Sequence, residues 1–225
     1  MLKLLWLVPA LPLAGFVALV LGGKRLTHGM CALIGAGSVA LAALLTLAIG
    51  VEFILAPPAG QVFRQTLWNW IDVAGFTPRI GLYLDALALT MLLVVTVVGF
   101  LIHLYSTEYM RGDEGYGRFF AYMNLFVGAM CLLLLADNLL LLYLGWEGVG
   151  LCSYLLIGFW YREPDNGRAA QKAFIVTRVG DSAFALGLLL LFTALGTPDV
   201  QLLMQRAALQ WPPGSALAVA AALLL

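Results

Sequence analysis

Long apolar runs, separated by short polar stretches, constrain this chain more than any other feature. A helix rises about 1.5 Å per residue, so roughly 20 apolar residues cross the hydrocarbon core of a bilayer. Six runs of that length lie at residues 2–22, 30–55, 82–105, 118–136, 138–159 and 171–196. A seventh run begins near Ser215 and reaches Leu225 without a polar end, which suggests a fragment of a longer protein. The pattern predicts an all-α integral membrane protein, a polytopic helix bundle.

The composition supports this class and argues against others. Of the 225 residues, 63% are hydrophobic and 11% are charged, which is too little polar surface for a soluble domain of this size. The formal net charge is zero, so we expect no nucleic-acid partner. The three cysteines lie inside apolar runs and the two histidines are far apart. We therefore expect no metal site, haem or disulfide framework.

Basic residues predict the orientation of the chain in the membrane. One set of loops carries seven of them: Lys24, Arg25, Arg111, Arg118, Arg162, Arg168 and Lys172. The opposite side carries four: Lys3, Arg64, Arg79 and Arg206. By the positive-inside rule the first set faces the cytoplasm and the N-terminus faces outside. No cleavage site follows the first run, so we interpret it as an uncleaved helix.

Two stretches outside the apolar runs predict smaller elements. Residues 61–85 are rich in aromatic and β-branched residues around Gly75, which favours a short external β-hairpin. Residues 197–213 have the pattern of an amphipathic surface helix, with Thr197 as its cap and Pro198 in its first turn.

The stretch GAGSVA, residues 35–40, has the form of a dinucleotide-binding fingerprint but the wrong context. Such a fingerprint follows a strand and opens a soluble helix, whereas this one lies within a spanning run. Small residues that let two membrane helices approach closely explain it better.

Glu147 is an acid in the middle of an apolar run. It follows Leu139 by about 12 Å of helix, which places it near the bilayer midplane. A charge at that depth costs roughly 2.5–3.5 kcal/mol, so it faces protein or water rather than lipid. Neighbouring glycines Gly145, Gly148 and Gly150 predict a close helix neighbour. The residues are consistent with a proton relay, or with a protonated acid that acts only as a hydrogen-bond donor.

The following run carries Arg178 and Asp181, whose spacing of three places them on one face of a helix. Their depth is about the same as that of Glu147, and only a short loop joins the two helices. We therefore expect two acids and an arginine in one layer of the membrane. They form either a pair that tunes proton transfer or a static ion pair that fixes the helix register.

His103 lies near the inner end of the third run. An unperturbed imidazole titrates at a pKa of about 6.5, which suits a proton entry site. A single histidine at a membrane end is also typical of an ordinary interfacial residue.

Residues 117–187 closely resemble a known family. They include LGWEGVGLCSYLLIGFWY, and upstream LDALALTMLLVVTVVGFLIHLYSTEYM at residues 84–110 is similar to the same family's third helix. The family is the antiporter-like subunit L of respiratory complex I, NADH:quinone oxidoreductase, called chain 5 in mitochondria. The similarity is strong over residues 82–196 and loose over the first two helices.

The resemblance implies a fold of about fourteen core helices with two inverted repeats. Residues 1–110 would hold helices one to three with the hairpin loop at about 56–81. Residues 111–225 would hold the first part of the proton-translocating repeat. Glu147 matches the family's essential membrane glutamate, and Arg178 and Asp181 match its charged pair. The family's partner lysine would lie beyond Leu225.

The resemblance also implies where the chemistry of the complex takes place. Family members carry no redox centre, so NADH, flavin (FMN), iron–sulfur clusters and quinone would be bound by partner subunits. The expected partners are other membrane and peripheral subunits of complex I, the lipid bilayer and protons. The expected location is the plasma membrane of a bacterium, or less readily the inner membrane of a mitochondrion.

Two other functions are consistent with the residues. The chain resembles, less specifically, the large subunit of a multisubunit sodium/proton antiporter or of a membrane-bound hydrogenase. A different class is a structural anchor that holds other subunits in the membrane, but an anchor needs no charge at the midplane.

Overall fold

The computed structural model describes residues 1–71, 78–212 and 214–224. The helices of this part of the chain are α1 (Leu7–Gly22), α2 (His28–Leu55), α3 (Ala86–Leu93), α4 (Gly99–Tyr109), α5 (Tyr116–Leu135), α6 (Leu139–Ile157), α7 (Pro164–Leu195), α8 (Val200–Gln210) and α9 (Ala216–Leu224). The strands are β1 (Phe63–Asn69) and β2 (Arg79–Leu84).

Six helices of the described part are long and apolar enough to cross a membrane: Leu2–Gly22, His28–Leu55, Ala86–Tyr109, Tyr116–Leu135, Leu139–Ile157 and Pro164–Leu195. The third of them joins α3 to α4 through a π-helical turn, Val94–Val98. The predicted helical membrane class and the six predicted spans are confirmed.

Two predicted helix boundaries were wrong. The third helix begins at Ala86 rather than at residue 82, because the Asp85 carboxylate accepts a hydrogen bond from the Ala88 N–H at 2.7 Å and caps the helix there. The sixth begins at Pro164, about two turns before the predicted start at residue 171. Those first turns are polar, so hydropathy does not reveal them.

The predicted hairpin is present as an antiparallel pair of β1 and β2, with Phe63 opposite Leu84 and Asn69 opposite Arg79. Its predicted centre, Gly75, lies outside the described residues. The predicted surface helix is present as α8, but the cap was assigned to the wrong residue. Asp199 caps it by accepting from the Leu202 N–H at 2.9 Å, whereas Thr197 and Pro198 precede it.

The order of the packed helices brings α6 between α5 and α7, while α5 also packs against α1 and α2. The GAGSVA stretch lies in α2, where a side chain on Gly35 would collide with the ring of Phe120 on α5. Next to it, Ser38 donates to the amide oxygen of Asn124 on α5 at 2.6 Å. The prediction of close helix packing by this stretch is therefore confirmed.

The loops sort to two ends of the bundle. At one end, His28 stacks on Tyr116 with ring centroids 4.8 Å apart, and the Trp160 indole donates to Asp113 at 2.7 Å. At the other end, the hairpin contacts the turn between α5 and α6, since the Asn138 amide donates to the Arg79 carbonyl at 2.7 Å. The loops predicted to be cytoplasmic and those predicted to be external thus lie at opposite ends.

Candidate functional site

The two helices that carry the candidate residues pack side by side. α6 begins where the Asn138 side chain accepts from the Leu141 N–H at 3.0 Å, and this cap fixes the depth of Glu147 in the middle of the helix. α7 is continuous from Pro164 to Leu195 and carries Arg178 and Asp181 in its central part. The chain returns between them within a few residues, as the sequence predicted.

Glu147, Arg178 and Asp181 form a charged triad between α6 and α7. The Arg178 guanidinium contacts the Glu147 carboxylate directly, and its Nη1 lies 3.5 Å from Oδ2 of Asp181. The guanidinium also lies over the ring of Phe174, 4.5 Å from the ring centre. The three side chains are largely withdrawn from the surface, with exposed fractions of 22% for Glu147, 35% for Arg178 and 6% for Asp181.

The triad is unbalanced in charge. One guanidinium neutralises one carboxylate, and an arginine in a protein does not release its proton. The second carboxylate is left without a countercharge in a region where an unpaired charge is costly. The two acids therefore share a single guanidinium between α6 and α7.

Trp146 completes the polar contacts of the triad. Its indole N–H donates to Oδ1 of Asp181 at 2.7 Å, across the α6–α7 contact. Its ring also meets the ring of Phe184 on α7 edge to face, with centroids 5.8 Å apart. A cavity of about 610 Å³ opens beside this contact, and Trp146, Asp181, Thr177 and Ser153 are among its lining residues.

The three glycines around Glu147 were predicted to let a neighbouring helix approach closely, but the structure gives this role to only two of them. A side chain at Gly145 would collide with the backbone of Leu133 on α5, and one at Gly148 would press on Ala129. A side chain at Gly150 would meet nothing. Gly145 and Gly148 therefore bring α6 close to α5, whereas the acid itself faces the arginine of α7.

His103 lies apart from the triad. It is fully buried, its Nδ1 is 2.7 Å from the Gly99 carbonyl oxygen, and its ring packs near Phe120 of α5. Its helix α4 packs against α2 and α5. The ring is covered by neighbouring helices, and a role of His103 in proton entry stays a prediction.

A second charged cluster joins the hairpin to both helices of the triad. Arg79 donates through Nε to Asp137 at 2.9 Å and through Nη2 to Asp199 at 2.7 Å. Asp137 precedes the first residue of α6 and Asp199 follows the last residue of α7. One arginine therefore connects the N-terminal end of α6 to the C-terminal end of α7. We refer to Arg79, Asp137 and Asp199 as the end clasp.

Neither Trp146 nor the end clasp was predicted from the sequence. In the sequence, Arg79 stood out only as one of the basic residues that predict orientation. No pattern linked it to the acids that follow 58 and 120 residues later. The signal for Trp146 was available, since a tryptophan directly beside a buried acid has an N–H that needs a partner.

Comparisons with known proteins identify the family of the chain. Residues 70–120 match the family model described as NADH-ubiquinone oxidoreductase (complex I), chain 5 N-terminus, and residues 136–225 match NADH:quinone oxidoreductase/Mrp antiporter, TM. NADH-quinone oxidoreductase subunit L of Escherichia coli K12 is 52% identical over 223 residues, which is 99% of this chain and 36% of that protein. The chain belongs to the subunit L family.

A further relative supports the same family, and a solved structure shares the fold. Subunit L of Pseudomonas aeruginosa is 52% identical over 204 residues, or 91% of this chain and 33% of that protein. The chain thus spans about a third of the length of these curated relatives. In the Mrp complex from Dietzia sp. DQ12-45-1b, one chain matches with a TM-score of 0.78 at 24% identity, over 98% of this chain and 22% of that chain. That likeness shows the antiporter-like membrane fold.

Proposed function

We propose that this chain is part of the proton-translocating membrane subunit of NADH:quinone oxidoreductase. The observation that carries the proposal is the charged triad, in which two acids share one arginine within two membrane-spanning helices. Membership of the subunit L family supports the assignment to a complex that oxidises NADH and reduces quinone. In this proposal the chain itself binds no redox group, and partner subunits hold NADH, FMN, the iron–sulfur clusters and quinone.

The proposed mechanism assigns one role to each member of the triad. Glu147 accepts and releases the proton. Arg178 stabilises the ionised form of Glu147 while the two are in contact, and Asp181 competes for the same guanidinium. Movement of Arg178 away from Glu147 towards Asp181 then lets Glu147 take up a proton, and redox energy released in the partner subunits would drive that movement. Protons leave on the outer side of the plasma membrane, and His103 is a candidate for their entry.

The experiment that tests this function replaces Glu147 in the whole subunit within the assembled complex. Glu147→Gln keeps the shape of the side chain but cannot exchange a proton, so we expect assembly with strongly reduced proton uptake per NADH oxidised. Glu147→Asp should keep part of the yield if the shorter side chain still reaches Arg178. Glu114→Gln is the matched control, because Glu114 pairs with Arg162 at 3.0 Å on the surface, where such pairs contribute little. An assembled Glu147→Gln complex with an unchanged proton yield would refute the proposal.

A sodium/proton antiporter subunit is the second candidate. The family model that matches residues 136–225 names the Mrp antiporter together with NADH:quinone oxidoreductase, and the fold match to the Mrp complex agrees with it. The two candidates differ in the driving force for proton movement. In vesicles, an antiporter moves protons in response to a sodium gradient and needs no NADH. The proposed subunit moves protons only while NADH is oxidised.

A further inference from the structure

Arg178 is held unequally by its two acids. It contacts Glu147 directly, but its Nη1 lies 3.5 Å from Asp181, longer than the roughly 2.8 Å of a strong charge-assisted hydrogen bond. Asp181 is also the more buried of the two acids. Burial and the same-helix spacing would both favour the pair Arg178–Asp181, so something else accounts for the preference for Glu147.

The structure shows what occupies Asp181 instead. Its Oδ1 accepts the Trp146 indole N–H at 2.7 Å, so half of the carboxylate is satisfied by a neutral donor from α6. A hydrogen bond to a charged group stabilises it by about 1.5–3 kcal/mol. A carboxylate that has such a bond gains less from the guanidinium, which leaves Arg178 free to contact Glu147.

We propose that Trp146 is a positioning residue: by donating its N–H to Asp181, it directs Arg178 onto Glu147. The inference rests on the proposed function, since it names the group that sets the resting state of the same site. Two acids compete for one guanidinium, and the indole N–H satisfies part of Asp181, so that Asp181 gains less from the guanidinium than Glu147 does. A tryptophan that served only to pack against Phe184 would have no such effect.

Chemical labelling of Glu147 tests this without relying on activity. Dicyclohexylcarbodiimide enters membranes and reacts with protonated carboxyl groups, so a glutamate held by a guanidinium resists it. Membranes containing the assembled complex are treated with the reagent, and the peptide with residue 147 is measured by mass spectrometry. Trp146→Phe removes the N–H but keeps an aromatic ring. We expect it to raise the labelling rate of Glu147 about tenfold.

Two further variants separate the proposal from simple packing. Trp160→Phe is the matched control, because Trp160 also donates its indole N–H to an aspartate, Asp113, at 2.7 Å, but in a loop far from the triad. It should leave the labelling of Glu147 unchanged. Asp181→Asn removes the competing charge, so it should lower the labelling below that of the unaltered complex. In the Asp181→Asn background, Trp146→Phe should have no further effect.

The possible outcomes are distinct. Unchanged labelling in Trp146→Phe, an equal increase in the Asp181→Asn background, or failure of the Trp146→Phe complex to assemble would each overturn the positioning role. Labelling in Asp181→Asn that did not fall would show that the acids do not compete. A parallel measurement of proton uptake in Glu147→Gln keeps the two proposals separate: a normal yield there refutes the proposed function, whatever the labelling of the Trp146 variant shows.

Discussion

Gly145 on α6 lies directly against the backbone of Leu133 on α5, and a methyl group added at Gly145 would come within 2.7–2.8 Å of that backbone. Backbone atoms of a packed helix cannot move aside as a flexible side chain does. The close approach of α5 and α6 therefore depends on the absence of a side chain at Gly145, which is two residues before Glu147 of the triad.

Gly145→Ala should force α5 and α6 apart and lower the free energy of unfolding by about 1–3 kcal/mol. It should also reduce proton uptake, since α6 carries Glu147. Thermal unfolding of the purified subunit in detergent measures the first effect. Gly150→Ala is the control, because a side chain there meets nothing and alanine favours a helix by about 1 kcal/mol over glycine. Equal behaviour of the two variants would contradict the packing role of Gly145.

The sequence predicted the spans and the members of the triad because both depend on short-range patterns. Apolar length predicts a helix, and a spacing of three places Arg178 and Asp181 on one face. Trp146 and Asp181 are 35 residues apart on different helices, and their contact depends on how α6 is rotated against α7. Gly145 and Gly148 pack α6 against α5, and only the structure reveals their packing partners.

The helix boundaries illustrate the same limit. Asp85 and Asp199 each cap a helix through their own carboxylate, and each displaced a boundary predicted from hydropathy or from a neighbouring threonine and proline. Several residue types can cap a helix, so their order along the chain does not settle which one does. The end clasp was not predictable either, since it depends on the hairpin folding back over the ends of α6 and α7.

Arg79→Gln should destabilise the chain by about 2 kcal/mol, because it leaves the Asp137 carboxylate buried without its countercharge. The side chain of Asp137 is only 3% exposed, whereas Arg79 itself is 35% exposed, which moderates the loss. Thermal unfolding measures the change, and Arg79→Gln combined with Asp137→Asn should recover part of it. Arg64→Gln is the control: Arg64 is 3.9 Å from Asp199 and 45% exposed, so its loss should have little effect.

We expect Asp113, which lies at the end of the bundle opposite the hairpin, to give the stability of the chain a small pH dependence. The hydrogen bond from the Trp160 indole holds the pKa of Asp113 below its ordinary value, and the Gly115 N–H and the charge of Arg118 act in the same direction. Partial burial acts in the opposite direction. Because the folded state favours the ionised form, this contribution is present at neutral pH and is lost as the pH falls below about 4, through the lowered pKa.

Trp160→Phe removes the largest cause of that shift. The unfolding temperature of the variant should therefore lie below that of the unaltered chain at neutral pH, and the difference should shrink as the pH falls below about 4. Scanning calorimetry over this range measures it, with Trp68→Phe as a control for the loss of an exposed indole. A difference that stays constant with pH would show that the Trp160–Asp113 bond does not favour the ionised acid.

The orientation of the chain follows from the two sets of loops. The excess of basic residues predicts that the loop between α6 and α7 lies in the cytoplasm and the hairpin outside. Asp165 and Ala59 are both exposed, at opposite ends of the bundle, so a cysteine at either position is accessible from one side of the membrane only. The three native cysteines are buried and unpaired, which keeps the background low. A membrane-impermeant maleimide that reaches only the outer face of the membrane in intact cells should label Ala59→Cys, and it should label Asp165→Cys only after the cells are broken. The opposite pattern would invert the predicted orientation, and with it the side from which protons reach Glu147.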